Sequence, residues 1–271
     1  MGNNQWTTSV AEKWGLFLPP ARPSESEIHV LENELLKLKE QNPNLRVAIL
    51  GSTIEYRDLC RRVGMHHKCI DYSRDNFLGL RESLEHKDSE ENLVISDWLD
   101  MSGVEDKFDV FLGDLATTVT PVQDHKNMFS QIEKHCNPGA FVFLKTPLRE
   151  NNDKMSHEEI FKLYRSERSD KNPFSGVWYE VLLSDYDFEK DTMYCKVSNA
   201  KLKESFEKGI ITQYEYEEFK KRWDALGDFN MNIPLKEAFS ENYSDFFLLE
   251  KIITGEDWYS KDIPIVKLRL K

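Results

Sequence analysis

The first half of this chain alternates between short apolar runs and helix-forming stretches, and that alternation narrows the possible folds more than any other feature. Five runs carry it: LRVAILG at 45–51, KCIDYS at 68–73, ENLVISDWLDM at 91–101, FDVFLGD at 108–114 and PGAFVFLKTP at 138–147. The continuous apolar stretch of the first suits a strand buried on both faces. Helical stretches lie between them at 55–63, stopped by Gly64, at 74–86 and at 123–136. Strand and helix in alternation, with short connections, predict a doubly wound, mostly parallel α/β sheet with helices on both faces. Such sheets bind ligands beyond the carboxyl ends of their strands, where the strand order reverses.

Three capping boxes mark further helices. Ser24 with Glu27 opens one whose Ile28, Leu31, Leu35 and Leu38 share a face and which Asn42-Pro43 ends. Ser156 with Glu159 precedes HEEIFKLYRSER, and Thr212 with Glu215 precedes YEEFKKRWDAL. Between these two lies GVWYEVLLSDYDF, which suits a helix or a strand. The chain then returns to strand patterns at 245–254 and 263–271, read as an antiparallel hairpin at the sheet edge. The expected organisation is an N-terminal arm and helix (1–44), a core (45–150 with 241–271) and a mainly helical cap (151–240). Pro19, Pro20 and Pro23 stiffen the arm.

Composition limits the partners. Asp and Glu number 48 against 36 Lys and Arg, a formal charge of −12. A net-acidic surface repels phosphate backbones, so nucleic acid is not an expected partner. No apolar run approaches the ~18 residues of a membrane span, and no secretory pattern opens the chain. Gly2 and Thr7 fit N-myristoylation loosely, with Trp6 where a hydroxyl is wanted. Cys60, Cys69, Cys136 and Cys195 are widely spaced and read as reduced, buried thiols of a cytoplasmic protein. His66-His67 lacks the neighbours of a metal site, so no metal is expected.

Four successive strand ends carry chemistry. Gly51-Ser52-Thr53-Ile54-Glu55 follows the first run, and its single glycine excludes a three-glycine dinucleotide loop. Asp71 ends the second run twenty positions after Gly51. It suits ribose hydroxyls, or equally a cap for the helix near Ser73. Asp97 and Trp98 end the third run and suit an adenine ring, or else a turn acid and a core indole. Gly113 and Asp114 end the fourth, with Thr117 and Thr118 just beyond; Asp114 is a reactive-centre residue or a cap.

Together these stretches resemble the class I S-adenosylmethionine-dependent methyltransferases, in the order VAILGSTIE, CIDYSRDNF, VISDWLDM, FDVFLGDLATT and NPGAFVFLKTP. The last two strands are similar to that family's final pair. The first loop departs from the family's acidic, glycine-richer version and is similar to a variant with Gly-x-Thr-x-Glu behind a proline-rich arm. The resemblance implies S-adenosylmethionine as cofactor. Gly51, with Ser52, Thr53 and Glu55, would pass its methionine part. Asp71, with Tyr72 and Ser73, would take the ribose, and Asp97 with Trp98 the adenine. Gly113 and Asp114 would lie near the methionine amino group or the acceptor, and Arg22 of the arm near a carboxylate of cofactor or substrate.

The expected reaction is in-line methyl transfer to an oxygen or nitrogen of a small molecule or peptide. Asp114 and His157 are the candidate bases. Phe161, Tyr164, Phe174, Trp178, Tyr179 and Tyr186 of the cap are candidates to line an acceptor pocket, although many of them must be core. The rivals are another transferase or dehydrogenase on the same fold, and a protein that binds S-adenosylmethionine or a nucleotide without catalysis. Asp71 suits NAD, but the missing glycines do not.

Overall fold

The Ser24 hydroxyl accepts from Glu27 N at 3.1 Å, and the Glu27 carboxylate accepts from Ser24 N at 2.8 Å. Two donors at the start of helix α1 (Glu25–Gln41) are thereby satisfied reciprocally. Leu31, Leu35 and Leu38 are buried on its inner face, each contributing about 1.5–3 kcal/mol. The structure is a computed structural model and describes residues 13–85 and 87–271. The myristoylation reading at Gly2, Trp6 and Thr7 lies outside the described residues.

Strands β1 (Arg46–Leu50), β2 (His66–Asp71), β3 (Leu93–Ile95), β4 (Phe108–Asp114) and β5 (Cys136–Lys145) pair in parallel. Two short strands, β6 (Met193–Tyr194) and β7 (Asn230–Met231), pair with each other elsewhere. Strand β8 (Phe247–Ile253) forms one edge of the main sheet, and β9 (Ile265–Leu270) runs antiparallel between it and β5. The order is β3-β2-β1-β4-β5-β9-β8. It reverses at β1 and β4, so the carboxyl ends of β1, β2 and β4 border one crevice.

Helices α2 (Ile54–Arg62) and α3 (Arg74–Arg81) join α1 on one face, over Val47, Ile49, Val110 and Leu112. A single turn, α4 (Ala116–Val119), follows β4, and α5 (His125–Lys134) covers the other face. The cap holds α6 (His157–Glu167), α7 (Pro173–Asp185), α8 (Cys195–Glu207) and α9 (Gln213–Leu226). Its own core includes Phe161, Phe174, Trp178, Phe219 and Trp223. GVWYEVLLSDYDF is helical as far as Asp185, with a kink at Val177 and with Trp178, Val181 and Leu182 buried. Helix α10 (Lys236–Ser244) packs Phe239 and Tyr243 on Phe129 and Phe247, so the return to the sheet begins before residue 241.

Two elements are shorter than their patterns. Only Leu93–Ile95 of the third run is strand. Asp97 ends it by accepting from Leu99 N at 2.9 Å, which turns the chain. Helix α3 stops at Arg81, and the following loop carries Asp88 to the buried Arg57. All four cysteines are buried thiols. Among the described residues no helix is long and apolar enough to cross a membrane.

Candidate functional site

Gly51 turns the chain out of β1 with a φ of +89°, a conformation that opposes a side chain. Its N–H donates to Ile70 O at 2.9 Å, and Trp98 Nε1 donates to the same carbonyl at 2.7 Å. The Trp98 ring therefore rests on the Gly51 turn, 3.5 Å from where a Cβ would stand. Next to the turn, Ser52 Oγ donates to Asp71 Oδ2 at 2.6 Å, and Ser73 N donates to Asp71 Oδ1 at 3.0 Å. Burial raises the Asp71 pKa, against the Ser52 and Ser73 hydrogen bonds. The cap of α3 is Ser73 rather than Asp71; Asp71 orders Ser73 by accepting from its N–H, and the Ser73 hydroxyl accepts from Asn76 N. Thr53 is the buried N-cap of α2 and makes no side-chain capping bond.

Arg57 braces this loop from within. Its Nε donates to Asp88 Oδ2 at 2.8 Å, its Nη1 lies 3.4 Å from the carbonyl oxygen of Ser52, and its plane sits 4.2 Å from the Phe77 ring centre. Asp97 is exposed, and Tyr72 is exposed beside it on the neighbouring strand end.

The ends of β4 and β5 form the second half of the crevice. A Cβ on Gly113 would stand 2.6 Å from Leu144 Cδ2, so only glycine fits without movement. The Asp114 side chain is buried, with Oδ1 3.6 Å from Lys145 Nζ and without a hydrogen bond. Burial pushes its pKa up to about 7; Lys145 opposes the rise, while Glu27 and Glu55 add to it. Leu115 follows at a φ of +55°, a strained conformation for leucine.

Lys145 is 0% exposed. Its Nζ donates to Pro20 O and Arg22 O, each at 2.9 Å, and lies 3.0 Å from Glu27 Oε2. Glu55 Oε1 accepts from Arg22 Nε at 2.6 Å and from Trp14 Nε1 at 3.4 Å, while Glu55 Oε2 is buried without a hydrogen bond. Trp14 and Phe17 pack with Ile54, Leu80 and Leu84 of the core and Ala225 of the cap. The arm thus runs across the carboxyl ends of β1, β4 and β5. Arg22, expected on a carboxylate of cofactor or substrate, is held by Glu55, because a buried acid at that position requires a cation.

His157 stands apart from this group. Its Nδ1 faces Ser205 Oγ at 2.8 Å, its Nε2 faces Asp185 Oδ1 at 3.4 Å, and its ring packs on Phe161. Among the described residues no hydrogen bond or ion pair joins it to Asp114. It is neither a surface residue nor a neighbour of the strand ends, because α6 turns its first residue into the cap's interior. The cap aromatics Phe161, Tyr164, Phe174, Trp178, Tyr179 and Tyr186 are all core, and Tyr186 also lines a cavity of about 720 Å³ with Phe188 and Tyr194. A second cavity, of about 400 Å³, lies at the opposite, amino-terminal end of the sheet beside Arg46, His66 and Lys68. No group of three or more metal-ligating side chains occurs among the described residues.

No protein-family model matches the chain, and no curated protein matches it. Solved structures do. A structure described as a putative zinc-dependent alcohol dehydrogenase from Rhodobacter sphaeroides superposes with a TM-score of 0.55 at 16% identity, covering 98% of this chain and 100% of that one. The PH0226 protein of Pyrococcus horikoshii OT3 gives 0.54 at 13%, covering 96% and 99%. The N-methyltransferase NodS from Bradyrhizobium japonicum WM9, in complex with S-adenosyl-L-homocysteine, gives 0.48 at 10%, covering 97% and 98%. The main-sheet strands, counted alone, run 3-2-1-4-5-7-6 with the seventh reversed. The fold is a doubly wound, Rossmann-like, mostly parallel sheet with an antiparallel pair at one edge.

Gly51, Ser52, Glu55, Asp71 and Asp114 lie at or just beyond the carboxyl ends of β1, β2 and β4, whereas among the described residues no hydrogen bond or ion pair joins His157 to them. The sequence reading missed Lys145, Glu27 and Arg57. Lys145 stood in plain view as the charged end of an apolar strand, FVFLK. A lysine that closes a buried run needs a buried acid, and that signal alone was enough to find it.

Proposed function

We propose that the chain is an S-adenosylmethionine-dependent methyltransferase that alkylates an oxygen or nitrogen of a small molecule or peptide. The observation that carries this reading is the junction of two loops at the switch of strand order, where Gly51 turns and Ser52 holds the buried Asp71. An acid there can accept from both ribose hydroxyls. The neighbouring charges fit the rest of the cofactor. Among the described residues the cations paired with Glu27, Glu55 and Asp114 are Arg22 and Lys145, and buried oxygens of Glu55 and Asp114 have no hydrogen bond. That acidic surplus suits a ligand carrying a sulfonium and an ammonium group.

Bound S-adenosylmethionine supplies a methyl group on a positively charged sulfur, open to in-line displacement. The chain's part is alignment, which supplies about 7–11 kcal/mol of such a barrier. Asp71 and Ser52 anchor, Gly51 lets the ligand approach the backbone, and the arm with Trp14 excludes water. Asp114, with a pKa near neutrality, is the group suited to take a proton from a hydroxyl acceptor. The net charge of −12 disfavours a nucleic-acid acceptor.

A second reading, a protein that keeps the fold without the transfer, draws on the Trp98 ring over Gly51 and the arm over Lys145, which cover the strand ends. Calorimetric titration with S-adenosylhomocysteine tests the cofactor shared by both. One site per chain with micromolar affinity, and no binding of NAD, is the expected result. Absence of binding in the wild type and in a Lys145→Met chain, whose arm has lost its anchor, would sink the methyltransferase reading.

A further inference from the structure

Strand β8 is an edge of the main sheet, and three of its aliphatic side chains face solvent: Leu248 at 45%, Leu249 at 51% and Ile252 at 47% exposure. Nothing among the described residues pairs with its outer side. A long, apolar, proline-free edge is a template for another strand. We propose that β8 pairs antiparallel with β8 of a second copy of this chain, about a two-fold axis between Glu250 and Lys251.

The sequence of the strand selects the occupant. Residues 248–253 read Leu-Leu-Glu-Lys-Ile-Ile, and reversing the segment exchanges apolar for apolar and acid for base. In the proposed register Glu250 lies opposite Lys251 of the second copy, Leu249 opposite Ile252, and Leu248 opposite Ile253. The ionic pair forms twice, as an isologous interface requires.

The register also has to satisfy the faces. Residues opposed across a two-fold must point to the same side of the sheet, and in an unbroken strand neighbours such as 250 and 251 point to opposite sides. Here the pairing with β9 shifts between Leu249 and Lys251, which leaves Glu250 as an extra residue. Leu249 lies opposite Leu268 and Ile252 opposite Val266, both on the side of α5. Leu248 lies opposite Arg269 and Ile253 opposite Ile265, on the side of α1. Glu250 reaches Arg269 at 3.4 Å and Lys251 reaches Glu34 of α1 at 3.3 Å, so these two also share the α1 side. The bulge therefore gives each opposed pair a common face. Four of the six exposed aliphatics, Leu249 and Ile252 from each copy, meet on one face, and the charge pairs meet on the other with Leu248.

Sedimentation equilibrium of the full chain at tens of micromolar tests this. The expected result is a reversible dimer. Glu250→Lys sets two lysines opposite each other twice and should weaken the dimer about tenfold or more. Adding Lys251→Glu restores complementarity and should restore dimerisation. Both variants disturb the Arg269 contact, and only the double variant also disturbs the Glu34 contact, so loss of these contacts cannot explain recovery. A Leu249→Cys/Ile252→Cys chain should cross-link covalently under mild oxidation, since the native thiols are buried. A wild-type monomer, a dimer indifferent to Glu250→Lys, or a charge-swapped chain that stays as weak as the single variant would each overturn the proposal.

Discussion

Two buried polar groups, one at the strand ends and one in the cap, look alike in a sequence and differ in structure. In the cap, the Asp185 carboxylate accepts from Ser198 Oγ at 2.6 Å and lies 3.3 Å from Lys201 Nζ, while His157 Nε2, 3.4 Å away, makes no hydrogen bond. Ser198 in turn accepts from Trp223 Nε1 at 3.0 Å. At the strand ends, acids outnumber bases, and oxygens of Glu55 and Asp114 stay without hydrogen bonds. A buried group with its partners in place specifies packing. A buried group short of partners is held at a cost, and such a cost persists at sites built for a ligand.

Substitutions can break this contrast. The largest effect is expected at Asp114. Asp114→Asn should lower turnover of a hydroxyl acceptor by about 10²–10⁴-fold, while affinity for S-adenosylhomocysteine changes little. The same residue sets a pH trend. Its folded pKa of about 7 lies above the 3.8 of an unperturbed aspartate. Between these values the native state holds a proton that the unfolded chain has released, so this group's contribution falls as pH rises from about 4 to 7. Melting curves of Asp114→Asn across that range should be flatter than those of the wild type. Equal slopes would mean that the carboxyl is not perturbed.

Lys145→Met comes next. It leaves Glu27 and Asp114 without their cation, which costs about 3–5 kcal/mol when one partner of a buried pair is removed. Calorimetry should show a Tm lower by roughly 10 °C, and protease cleavage after Arg22 should accelerate. Asp71→Ala should weaken S-adenosylhomocysteine by about 10–100-fold, the loss of hydrogen bonds to a charged group. Affinity equal to wild type would mean that the ribose does not lie at this strand end. The smallest effect is expected in the cap. His157→Gln should cost about 1–2 kcal/mol of stability and leave S-adenosylhomocysteine affinity within about twofold. A large drop in affinity would return His157 to the site.

The sheet was legible because strands buried on both faces leave little choice of residue, and VAIL, FDVFL and FVFL sit where the apolar runs are. The three capping boxes were legible for a local reason: donor and acceptor are three residues apart in the chain itself. The acids at the strand ends followed from position, since each ends a run. Arg22 on Glu55 and Lys145 on Pro20 were not legible, because those contacts span 33 and 125 residues and depend on how the arm crosses the sheet. The burial of His157 was not legible for the related reason that helical phase decides whether a first-turn residue faces water or core. Tertiary packing set that phase.

The strand that separates β5 from β8 is β9, which follows both of them in the sequence. Synthesis proceeds from the amino end, so β5 and β8 both exist before the segment that joins them. Until β9 emerges from the ribosome, β5 presents an open apolar border with the Lys145 ammonium at its end. During that interval a nascent chain has all the helices named above and most of its sheet without a closed structure. This protein's most exposed moment is therefore set by the order of its strands and lasts until β9 is made.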